Sequence, residues 1–172
     1  KKIKVFFYNP RDFVKNKWKR VDRPSYGGGP GLVIEALPLI KAVEKAKGKN
    51  KNVKIIFLSP SGKQFTNQYA EKTAKKYKNI IIICGRYEGI DARVKKIFKV
   101  DEISVGSFIL TGGELPAMMI IDVISRQLPG VLGNIDSIEE RRVSSSDVYT
   151  RPESFSYKGK KYHVPKVLLS GH

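Results

Sequence analysis

The sequence has 172 residues, 41% hydrophobic and 10% aromatic, which suits one globular domain with its own core and excludes a wholly disordered chain. It contains no run of about 18 apolar residues, which argues against a membrane span, and its single cysteine excludes an internal disulfide and is typical of a reducing compartment. The formal net charge of +17 is unusual for a metabolic enzyme and indicates a polyanionic partner, nucleic acid first, with a solvated basic surface as the alternative.

The chain begins with a predicted strand and a long loop. Residues 3–8 (IKVFFY) form the strand, and residues 9–31 form the loop, which contains three prolines and four glycines. Within the loop, residues 26–31 (YGGGPG) match neither the dinucleotide-binding nor the phosphate-loop spacing, so we expect a mobile loop that closes over a substrate. Basic residues outnumber acidic ones by nine to two in residues 1–23 and by eleven to two in residues 41–78.

The middle of the chain alternates helices and strands. The pattern predicts a helix, a strand, a basic helix and a buried strand at residues 37–47, 53–58, 65–77 and 80–84. Residues 59–62 (SPSG) predict a tight turn. Because the apolar residues of the strands are continuous, we expect an α/β fold with a mostly parallel sheet and helices on both faces. Cys84 ends the last strand, and we expect a buried strand residue there rather than a reactive thiol.

The least charged stretch is residues 103–133, which hold one basic and two acidic residues. Its second half predicts a helix that starts near Gly113 or Glu114, because Pro116 must lie in the first turn. Apolar residues cover almost the whole circumference of residues 117–128, so we expect a second subunit to bury one side of this helix.

Arg126 is the only basic residue of this stretch, and two interpretations of it stay open. It lies four residues after Asp122, on the same face of the predicted helix. The two side chains form either a structural ion pair or part of a functional site, because an arginine on an apolar helix needs a partner or a task.

Three glycine-bearing loops are predicted at one edge of the sheet. They are residues 59–62, 85–89 and 105–113, each following a strand. Ligands of parallel sheets bind beyond the carboxyl ends of the strands, and glycines there let the backbone pass close to a ligand. No metal site is predicted, since His163 and His172 lie nine residues apart with no cysteine or acid at ligand spacing, and nothing in the residues indicates Mg²⁺.

Several long motifs occur in order along the chain. They are YGGGPG (26–31), LSPSG (58–62), CGRYEGID (84–91), LTGGELPA (110–117), RQLPGVLG (126–133), YTRP (149–152) and VLLSG (167–171). Together they strongly resemble the bacterial tRNA (guanine-N1) methyltransferase family of the SPOUT class, from about residue 10 to the end.

The resemblance implies a fold, a reaction and partners. The fold would be a single SPOUT methyltransferase domain over residues 1–172, with a deep trefoil knot. The reaction would be transfer of a methyl group from S-adenosyl-L-methionine to N1 of the guanosine 3′ to the anticodon of tRNA, in the cytoplasm. The enzyme would be a homodimer with its active site at the subunit interface.

The same resemblance implies roles for individual residues. Guanine N1 carries a proton that a carboxylate must accept, and Arg126 is expected to stabilise the charge that develops at O6. Contacts to the substrate are expected from Asp22, Pro30, Gly31 and Glu88. Contacts to the methyl donor are expected from Leu58, Ser59, Pro60, Gly62, Gly85, Tyr87, Glu88, Val105, Gly106, Ser107, Phe108, Ile109, Leu110, Gly112, Gly113 and Pro116.

The chain departs from the family pattern after Gly133. Aligned on Ser137, the catalytic acid of the family falls on Arg141, so that Glu139 and Glu140 are weak substitutes, with Glu140 as the expected acid. The segment of residues 140–147 also looks shorter than the corresponding segment of the family pattern. From the resemblance we further expect a preceding strand and helix and a following helical tRNA-binding domain, both of which these 172 residues lack.

Two other classes of protein stay open. A non-catalytic RNA-binding protein would explain the charge but not the three glycine loops at the sheet edge, and binding of the methyl donor would exclude it. A different SPOUT methyltransferase, acting on ribose or on ribosomal RNA, would share the knot, and the position of the new methyl group would distinguish it.

Overall fold

The computed structural model describes residues 3–132 and 147–170, so predictions on residues 133–146, Glu140 and Arg141 among them, lie outside the described residues. The chain divides into two compact units, Lys1–Ile138 and Glu139–His172. The single SPOUT domain expected from the resemblance therefore stays a prediction.

Five strands lie within residues 3–132. Two of them, β1 (Asp22–Arg23) and β2 (Val33–Ile34), are short and pair with each other in antiparallel fashion. The other three are β3 (Val53–Gln64), β4 (Asn79–Ile83) and β5 (Asp101–Ser104), which form a parallel sheet with β3 in the middle. The predicted parallel sheet is therefore confirmed, whereas β1 and β2 lie within or just after the predicted loop.

The helices of the same residues are α1 (Ala36–Lys47), α2 (Asn67–Lys76), α3 (Arg93–Ile97) and α4 (Glu114–Arg126). α1 carries Pro38 in its first turn and ends at Gly48, whose positive φ of 53° suits glycine. α2 begins after Thr66, whose hydroxyl accepts the N–H of Tyr69 at 3.2 Å. The helices predicted over residues 37–47 and 65–77 are confirmed, and α3, with five residues, is too short to show a helical period.

Successive residues of β3 pack on opposite faces of the sheet. Ile55 and Phe57 join a core cluster that contains Ala36, Leu39, Val43, Ile83 and Val94. Ile56 and Leu58 join a second cluster that contains Ala70, Ile103, Ala117, Ile120 and Ile124. Because side chains of a strand alternate between faces, α1 and α3 cover one face and α2 and α4 the other. The predicted α/β class with helices on both faces is confirmed.

A polar cluster fixes α2 to the sheet. The hydroxyl of Tyr69 donates to Asp101 of β5 at 2.9 Å, and Lys54 of β3 forms an ion pair with the same carboxylate. Burial and the hydrogen bond to Asp101 raise the pKa of Tyr69 above its ordinary range. The phenol therefore stays protonated at neutral pH and remains a donor.

The predicted tight turn at residues 59–62 is wrong. β3 continues through these residues, and Leu58 and Lys63 both pair with Ile103 of β5, so the segment between them lies outside the regular ladder. A Cβ on Gly62 would lie 2.5 Å from the backbone nitrogen of Ile103. The proline and glycine that suggested a turn instead mark a bulge, where the chain passes close to β5 and rejoins it.

The predicted strand at residues 3–8 is also wrong. These residues belong to no helix or strand and all of them are exposed, Phe7 to 93%. Their composition favours a strand, but a strand also needs a neighbour with which to form hydrogen bonds. No strand within residues 3–132 pairs with this segment.

α4 starts where Pro116 requires it to start. Gly113 is the N-cap residue and Pro116 lies in the first turn, which confirms the predicted beginning of the helix. Ala117, Ile120 and Ile124 are buried in the core, whereas Leu115, Met118 and Met119 are exposed. In the part of the chain that the structure describes, neither α4 nor any other helix has the length and apolar character needed to cross a membrane.

The second unit contains a β-hairpin. Its strands, β6 (Ser154–Tyr157) and β7 (Lys160–His163), pair in antiparallel register. The connecting residues Lys158 and Gly159 have φ values of 49° and 74°, as a type I′ turn requires. Phe155 and Tyr162 face each other across the strands with stacked rings 5.5 Å apart. A short 3-10 helix, Lys166–Leu169, follows.

Candidate functional site

The bulged segment of β3 and the two loops after β4 and β5 meet at the carboxyl edge of the parallel sheet. They follow the regular part of β3 and the ends of β4 and β5. They enclose the loop cavity, a space of about 290 Å³ lined by Leu58, Ser59, Pro60, Gly85, Arg86, Tyr87, Glu88, Gly89, Ile103, Ser104, Val105, Phe108, Ile109, Leu110, Thr111, Gly112, Gly113 and Pro116. Of these residues, only Arg86 and Glu88 are charged. The position matches the ligand site of open parallel sheets.

Backbone contacts hold the loops of this cavity together. The N–H of Gly113 donates to the carbonyl of Gly85 at 2.9 Å, and Arg86 and Gly112 form an antiparallel bridge. Nε of Arg86 also donates to Oε1 of Glu114 at 3.1 Å, but both side chains are more than half exposed, so this ion pair adds little stability. The shape of the cavity is therefore determined mainly by the backbone.

Gly113 leaves no space for a side chain. A Cβ there would lie 2.6 Å from Cα of Cys84 and 3.0 Å from the backbone nitrogen of Gly85. Because backbone atoms cannot move aside as a flexible side chain can, glycine is required for the start of α4 to approach the end of β4 this closely.

Cys84 lies beside this contact. It follows the last residue of β4 and is half-buried, so the prediction of a buried strand residue is corrected on both points. Burial, with a smaller contribution from the charge of Glu114, raises the pKa of the Cys84 thiol to about 11. The thiol is therefore protonated at neutral pH and, as expected, a poor nucleophile.

Tyr87 adopts a backbone conformation that is uncommon for a residue with a side chain. Its φ is 58° and the residue is 55% exposed. Hydrogen bonds from the N–H of Glu88 to the carbonyl of Leu32 and from the N–H of Ile34 to the carbonyl of Gly89, each of 3.0 Å, hold the loop against β2. The fixed loop keeps Tyr87 at the edge of the loop cavity.

A second cavity adjoins the first at Tyr87. This polar cavity has a volume of about 580 Å³ and is lined by Arg11, Trp18, Arg20, Asp22, Leu32 and Tyr87. Its carboxylate, Asp22, is buried, and nitrogens of Arg11 and Arg20 lie 3.9 and 3.8 Å from its two oxygens. The two cavities therefore share Tyr87 as a lining residue, but the second is lined by charged side chains and the first mostly by uncharged ones.

A comparison with known proteins matches this chain to one family. The family described as tRNA (Guanine-1)-methyltransferase TrmD matches residues 1–172. A tRNA (guanine-N(1)-)-methyltransferase of Buchnera aphidicola is 48% identical over 174 residues, which cover 99% of this chain and 72% of that protein. Proteins of the same name from Campylobacter jejuni and Citrifermentans bemidjiense are each 44% identical, with 100% and 99% of this chain and 75% and 68% of those proteins covered.

This chain belongs to the tRNA (guanine-1)-methyltransferase family. The resemblance stated from the sequence motifs is thereby confirmed. Membership also favours a methyl donor as the ligand of the loops at the sheet edge.

Most of the residues predicted to contact the donor of this family lie together. Those that line the loop cavity are Leu58, Ser59, Pro60, Gly85, Tyr87, Glu88, Val105, Phe108, Ile109, Leu110, Gly112, Gly113 and Pro116. Gly62, Gly106 and Ser107 do not line it. Gly62 instead packs against β5, and the ring of Phe108 occupies the space that a Cβ on Gly106 would need. The role of each residue in donor binding stays a prediction.

Sequence reasoning missed several residues of the same wall. They are Arg86, Gly89, Ile103, Ser104 and Thr111. Arg86, Gly89 and Thr111 lie within the predicted glycine loops, each next to a predicted residue, so including every residue of those loops would have found them. Ile103 and Ser104 were harder to find, because they belong to β5 itself and show only the apolar pattern of a strand.

The residues predicted to contact the substrate fall in two places. Asp22 lies in the polar cavity, and Glu88 lies in the loop cavity. Gly31 is packed against Glu88, since a Cβ on Gly31 would lie 2.5 Å from a carboxylate oxygen of Glu88. Pro30 is exposed in the glycine-rich loop. Gly31 and Glu88 therefore lie close together, whereas Asp22 lines a different cavity.

Arg126 is the last residue of α4, is half-buried and lines neither cavity. Asp122 is exposed, and the ion pairs of the described residues do not join it to Arg126. The described ion pairs therefore give no support to a structural pair, and the role of Arg126 stays a prediction. Glu140 lies outside the described residues, among which no group of three or more His, Cys, Asp or Glu side chains is arranged to hold a metal ion.

Proposed function

We propose that this chain transfers a methyl group from S-adenosyl-L-methionine to N1 of the guanosine immediately 3′ of the anticodon in tRNA. The observation that carries the proposal is the loop cavity at the carboxyl edge of a parallel sheet, in a chain of this family. The relatives from Buchnera aphidicola and Campylobacter jejuni are both named tRNA (guanine-N(1)-)-methyltransferase.

The residues of the loop cavity fit a donor of this kind. Its wall offers backbone N–H and C=O groups for the polar edges of an adenosine, next to apolar surface from Leu58, Ile103 and Pro116. Glu88 adds a negative charge for the cationic part of the donor. When bound, the donor supplies a methyl group on a sulfonium, which is displaced in line and therefore requires the protein chiefly to position the reactants.

The acceptor requires a base and a positive charge. The proton on guanine N1 must pass to a carboxylate, and the charge that develops at O6 must be stabilised, contributions of about 10²–10⁴-fold and a few kcal/mol respectively. We assign the positive charge to Arg126 and the carboxylate to Glu140. Contact with the guanosine is assigned to Asp22, Pro30, Gly31 and Glu88, and the packing of Gly31 on Glu88 supports a joint role for that pair.

We also propose a homodimer with its active site at the subunit interface. Leu115, Met118 and Met119 of α4 are 59%, 66% and 47% exposed, and Phe108 and Ile109 are also exposed. Apolar surface of this kind supports burial by a second copy of the chain. Sedimentation is expected to give a dimer at micromolar concentration and a monomer for Met118→Lys. A stable, folded wild-type monomer would contradict the proposal.

We also propose that the chain folds as a trefoil-knotted SPOUT domain. Support comes from the parallel sheet with helices on both faces and from membership of this family. Since tRNA is the proposed substrate and the only cysteine is a thiol, we further infer a cytoplasmic location.

The decisive experiment identifies the methylated nucleoside. The full-length protein is incubated with donor labelled in its methyl group and unmodified tRNA, the RNA is digested, and the nucleosides are separated by chromatography. We expect labelled 1-methylguanosine, and no label when the guanosine 3′ to the anticodon is replaced by adenosine. Adding EDTA to the same assay tests whether Mg²⁺ assists.

The other outcomes distinguish the alternatives. Label on a ribose 2′-hydroxyl would indicate a SPOUT methyltransferase of different specificity. RNA binding without donor binding in calorimetry would indicate a non-catalytic RNA-binding protein. Either result would overturn the proposed function.

A further inference from the structure

Glu102 of β5 is a charged residue that the proposed methyl transfer does not use. It pairs in register with Phe57 of β3, so both side chains lie on the face of the sheet that α1 and α3 cover. Nζ of Lys95 in α3 lies 5.5 Å from the centre of the Phe57 ring and donates to both carboxylate oxygens of Glu102, at 3.2 and 3.1 Å. The helix therefore holds the carboxylate in a defined position beside β3.

The bulged segment of β3, residues 59–62, passes close to Glu102. It leaves the regular ladder between Leu58 and Lys63, which both pair with Ile103. A Cβ on the glycine of this segment would lie 2.7 Å from the carbonyl carbon of Glu102. The first two residues of the segment line the loop cavity. The same few residues of chain therefore contact β5 on one side and the cavity on the other.

Two hydroxyls of the bulged segment interact with the Glu102 carboxylate. Oγ of Ser59 lies 2.9 Å from Oγ of Ser61 and accepts the N–H of Ser61 at 3.3 Å. Burial raises the pKa of Glu102, but hydrogen bonds from Lys95 and from the two hydroxyls, with the charge of Lys95, outweigh it and lower the pKa below its ordinary value. The carboxylate is therefore ionised at neutral pH and accepts hydrogen bonds from the bulged segment.

The place of these contacts behind the cavity wall distinguishes them from an ordinary surface ion pair. Glu102 and Lys95 have side-chain exposures of 31% and 35%, so their pairing alone adds little stability. Neither lines the loop cavity, whereas Ser59 and Pro60 do. Because Pro60 has no N–H and a bulge disrupts the ladder, side-chain contacts are needed to fix this part of the wall.

We propose that Glu102 is a positioning residue for the methyl donor, whose carboxylate holds the hydroxyls of Ser59 and Ser61 and so keeps the first half of the bulged segment in the wall of the loop cavity. The proposal rests on the proposed function, because it takes the donor as the ligand of that cavity. Glu102 lines neither cavity and therefore acts through Ser59. This anchor is separate from Gly62, which meets the β5 backbone where the segment rejoins the ladder.

Binding of S-adenosyl-L-methionine, measured by calorimetry, tests the proposal. Glu102→Ala is expected to weaken donor affinity by about 5- to 30-fold, since hydrogen bonds of modest net strength are lost. Glu102→Gln is expected to weaken it by less than about fivefold, because its carbonyl oxygen still accepts one hydroxyl. In single-turnover methylation, the half-saturating donor concentration should rise by the same factors, while the rate at saturating donor and tRNA should match that of the wild type.

Ser61→Ala tests the same anchor from the side of the bulged segment. Ser61 is exposed and does not line the loop cavity, so this variant is expected to fold even if Glu102→Ala does not. Donor affinity is expected to fall by about 2- to 10-fold, the net contribution of one hydrogen bond. Combined with Glu102→Ala, it should cause no further loss, because both changes break the same set of contacts. Fully additive losses would show that the two residues act separately and would overturn the proposal.

Asp101→Asn is the matched control on the same strand. Asp101 precedes Glu102 but pairs in register with Ile56, so its side chain lies on the other face of the sheet, where it binds Tyr69 and Lys54. Removing this charge is expected to lower the melting temperature and to leave donor affinity unchanged. A loss of donor affinity as large as that of Glu102→Ala would indicate general damage to the sheet and would overturn the positioning role.

The outcomes separate this proposal from the proposed function. Unchanged donor affinity in folded Glu102→Ala and Ser61→Ala proteins, or a lower rate at saturating donor in Glu102→Ala, would overturn the positioning role and leave the proposed function standing. Weaker donor binding in both variants, with a wild type that binds the donor but does not methylate tRNA, would overturn the proposed function and uphold the positioning role. A wild type that binds no donor would overturn both.

Discussion

The loop cavity and the polar cavity share Tyr87 but are built by different means. Apart from Arg86 and Glu88, the wall of the loop cavity consists of strand ends, four glycines and uncharged side chains, and it is held by backbone contacts such as that from Gly113 to Gly85. The wall of the polar cavity consists of long side chains, with two arginines around one buried carboxylate and an exposed indole.

The difference separates two kinds of recognition. A wall made of backbone has a fixed shape, so it discriminates by fit and is sensitive to any added Cβ. A wall made of charged side chains recognises by electrostatic attraction, which salt screens. The first suits a small donor of defined shape, and the second suits one position along a polyanionic strand.

The largest expected difference between the two cavities is the dependence of their ligand affinities on salt concentration. If residues 1–23 and the polar cavity help to neutralise about 6–10 phosphates, RNA affinity falls by roughly 10³–10⁵-fold between about 50 and 200 mM salt. Donor affinity is expected to change little, because backbone contacts in the loop cavity release few counterions. Filter binding of RNA and calorimetry of the donor at matched salt concentrations measure both. Equal salt dependence of the two affinities would remove the distinction between the cavities.

Arg126 is expected to affect the chemical step and neither binding site. It lines neither cavity, so Arg126→Ala should leave donor affinity nearly intact while lowering single-turnover methylation by about 10²–10³-fold. The measurement uses the full-length protein at saturating donor and tRNA. Near-normal turnover in a folded Arg126→Ala protein would refute the catalytic assignment.

Asp122→Asn is the matched control on the same helix. Asp122 is exposed and is not joined to Arg126 by an ion pair among the described residues, so this change is expected to shift the free energy of unfolding by no more than about 0.5 kcal/mol. A large loss of stability in this variant would favour the structural interpretation of Arg126.

Two glycines with the same steric constraint test the backbone-built wall. A Cβ on Gly113 or on Gly62 would meet backbone atoms at 2.6 and 2.5 Å, but only Gly113 lines the loop cavity. Gly113→Ala is expected to weaken donor binding by about 5- to 150-fold, the equivalent of 1–3 kcal/mol of overpacking. Gly62→Ala is expected to lower the melting temperature and leave the donor affinity of the folded protein unchanged.

Calorimetry at a temperature where both variants are folded makes this comparison. Loss of donor binding in Gly62→Ala with an unchanged melting temperature would return Gly62 to the donor site, where the sequence motif placed it. Unchanged donor affinity in Gly113→Ala would show that the wall adapts, contrary to a site of fixed backbone.

The sequence could predict the parallel sheet because its signals were local. The apolar strands, the early prolines of α1 and α4 and the glycines after the strands each act within a few residues. The path of residues 59–62 could not be predicted, since it depends on β5, which lies about forty residues further along the chain. The unpaired state of residues 3–8 likewise depends on which partners are present in space.

The candidate site divides in the same way. The segments that form the loop cavity were predicted because glycines mark the strand ends, and the individual donor contacts within them came from the resemblance to the family. The polar cavity combines Arg11, Trp18 and Arg20 with Tyr87, which lies more than sixty residues later in the sequence. No spacing rule brings them together, since the contact is created by the packing of the loop after β4 against β2.

Ionisation of the Cys84 thiol is expected to have the smallest effect on stability, and it tests how tightly the loop cavity is packed. Its pKa is raised to about 11 by burial beside the start of α4, so in the folded protein the thiol should lose its proton only above the ordinary value of about 8.5. Because the unfolded chain loses this proton first, stability should fall as the pH rises from about 8.5 to about 11. This contribution is fully present below that window.

The rate of alkylation by iodoacetamide reports the thiolate of this single cysteine. In the folded protein the rate is expected to rise about tenfold for each pH unit up to about 11, whereas in urea it should level off near pH 8.5–9. Cys84→Ser should abolish labelling, and circular dichroism checks that the fold persists over the range. A native rate that levels off below pH 9 would show that the thiol is open to water and that α4 does not pack against the end of β4 as closely as Gly113 requires.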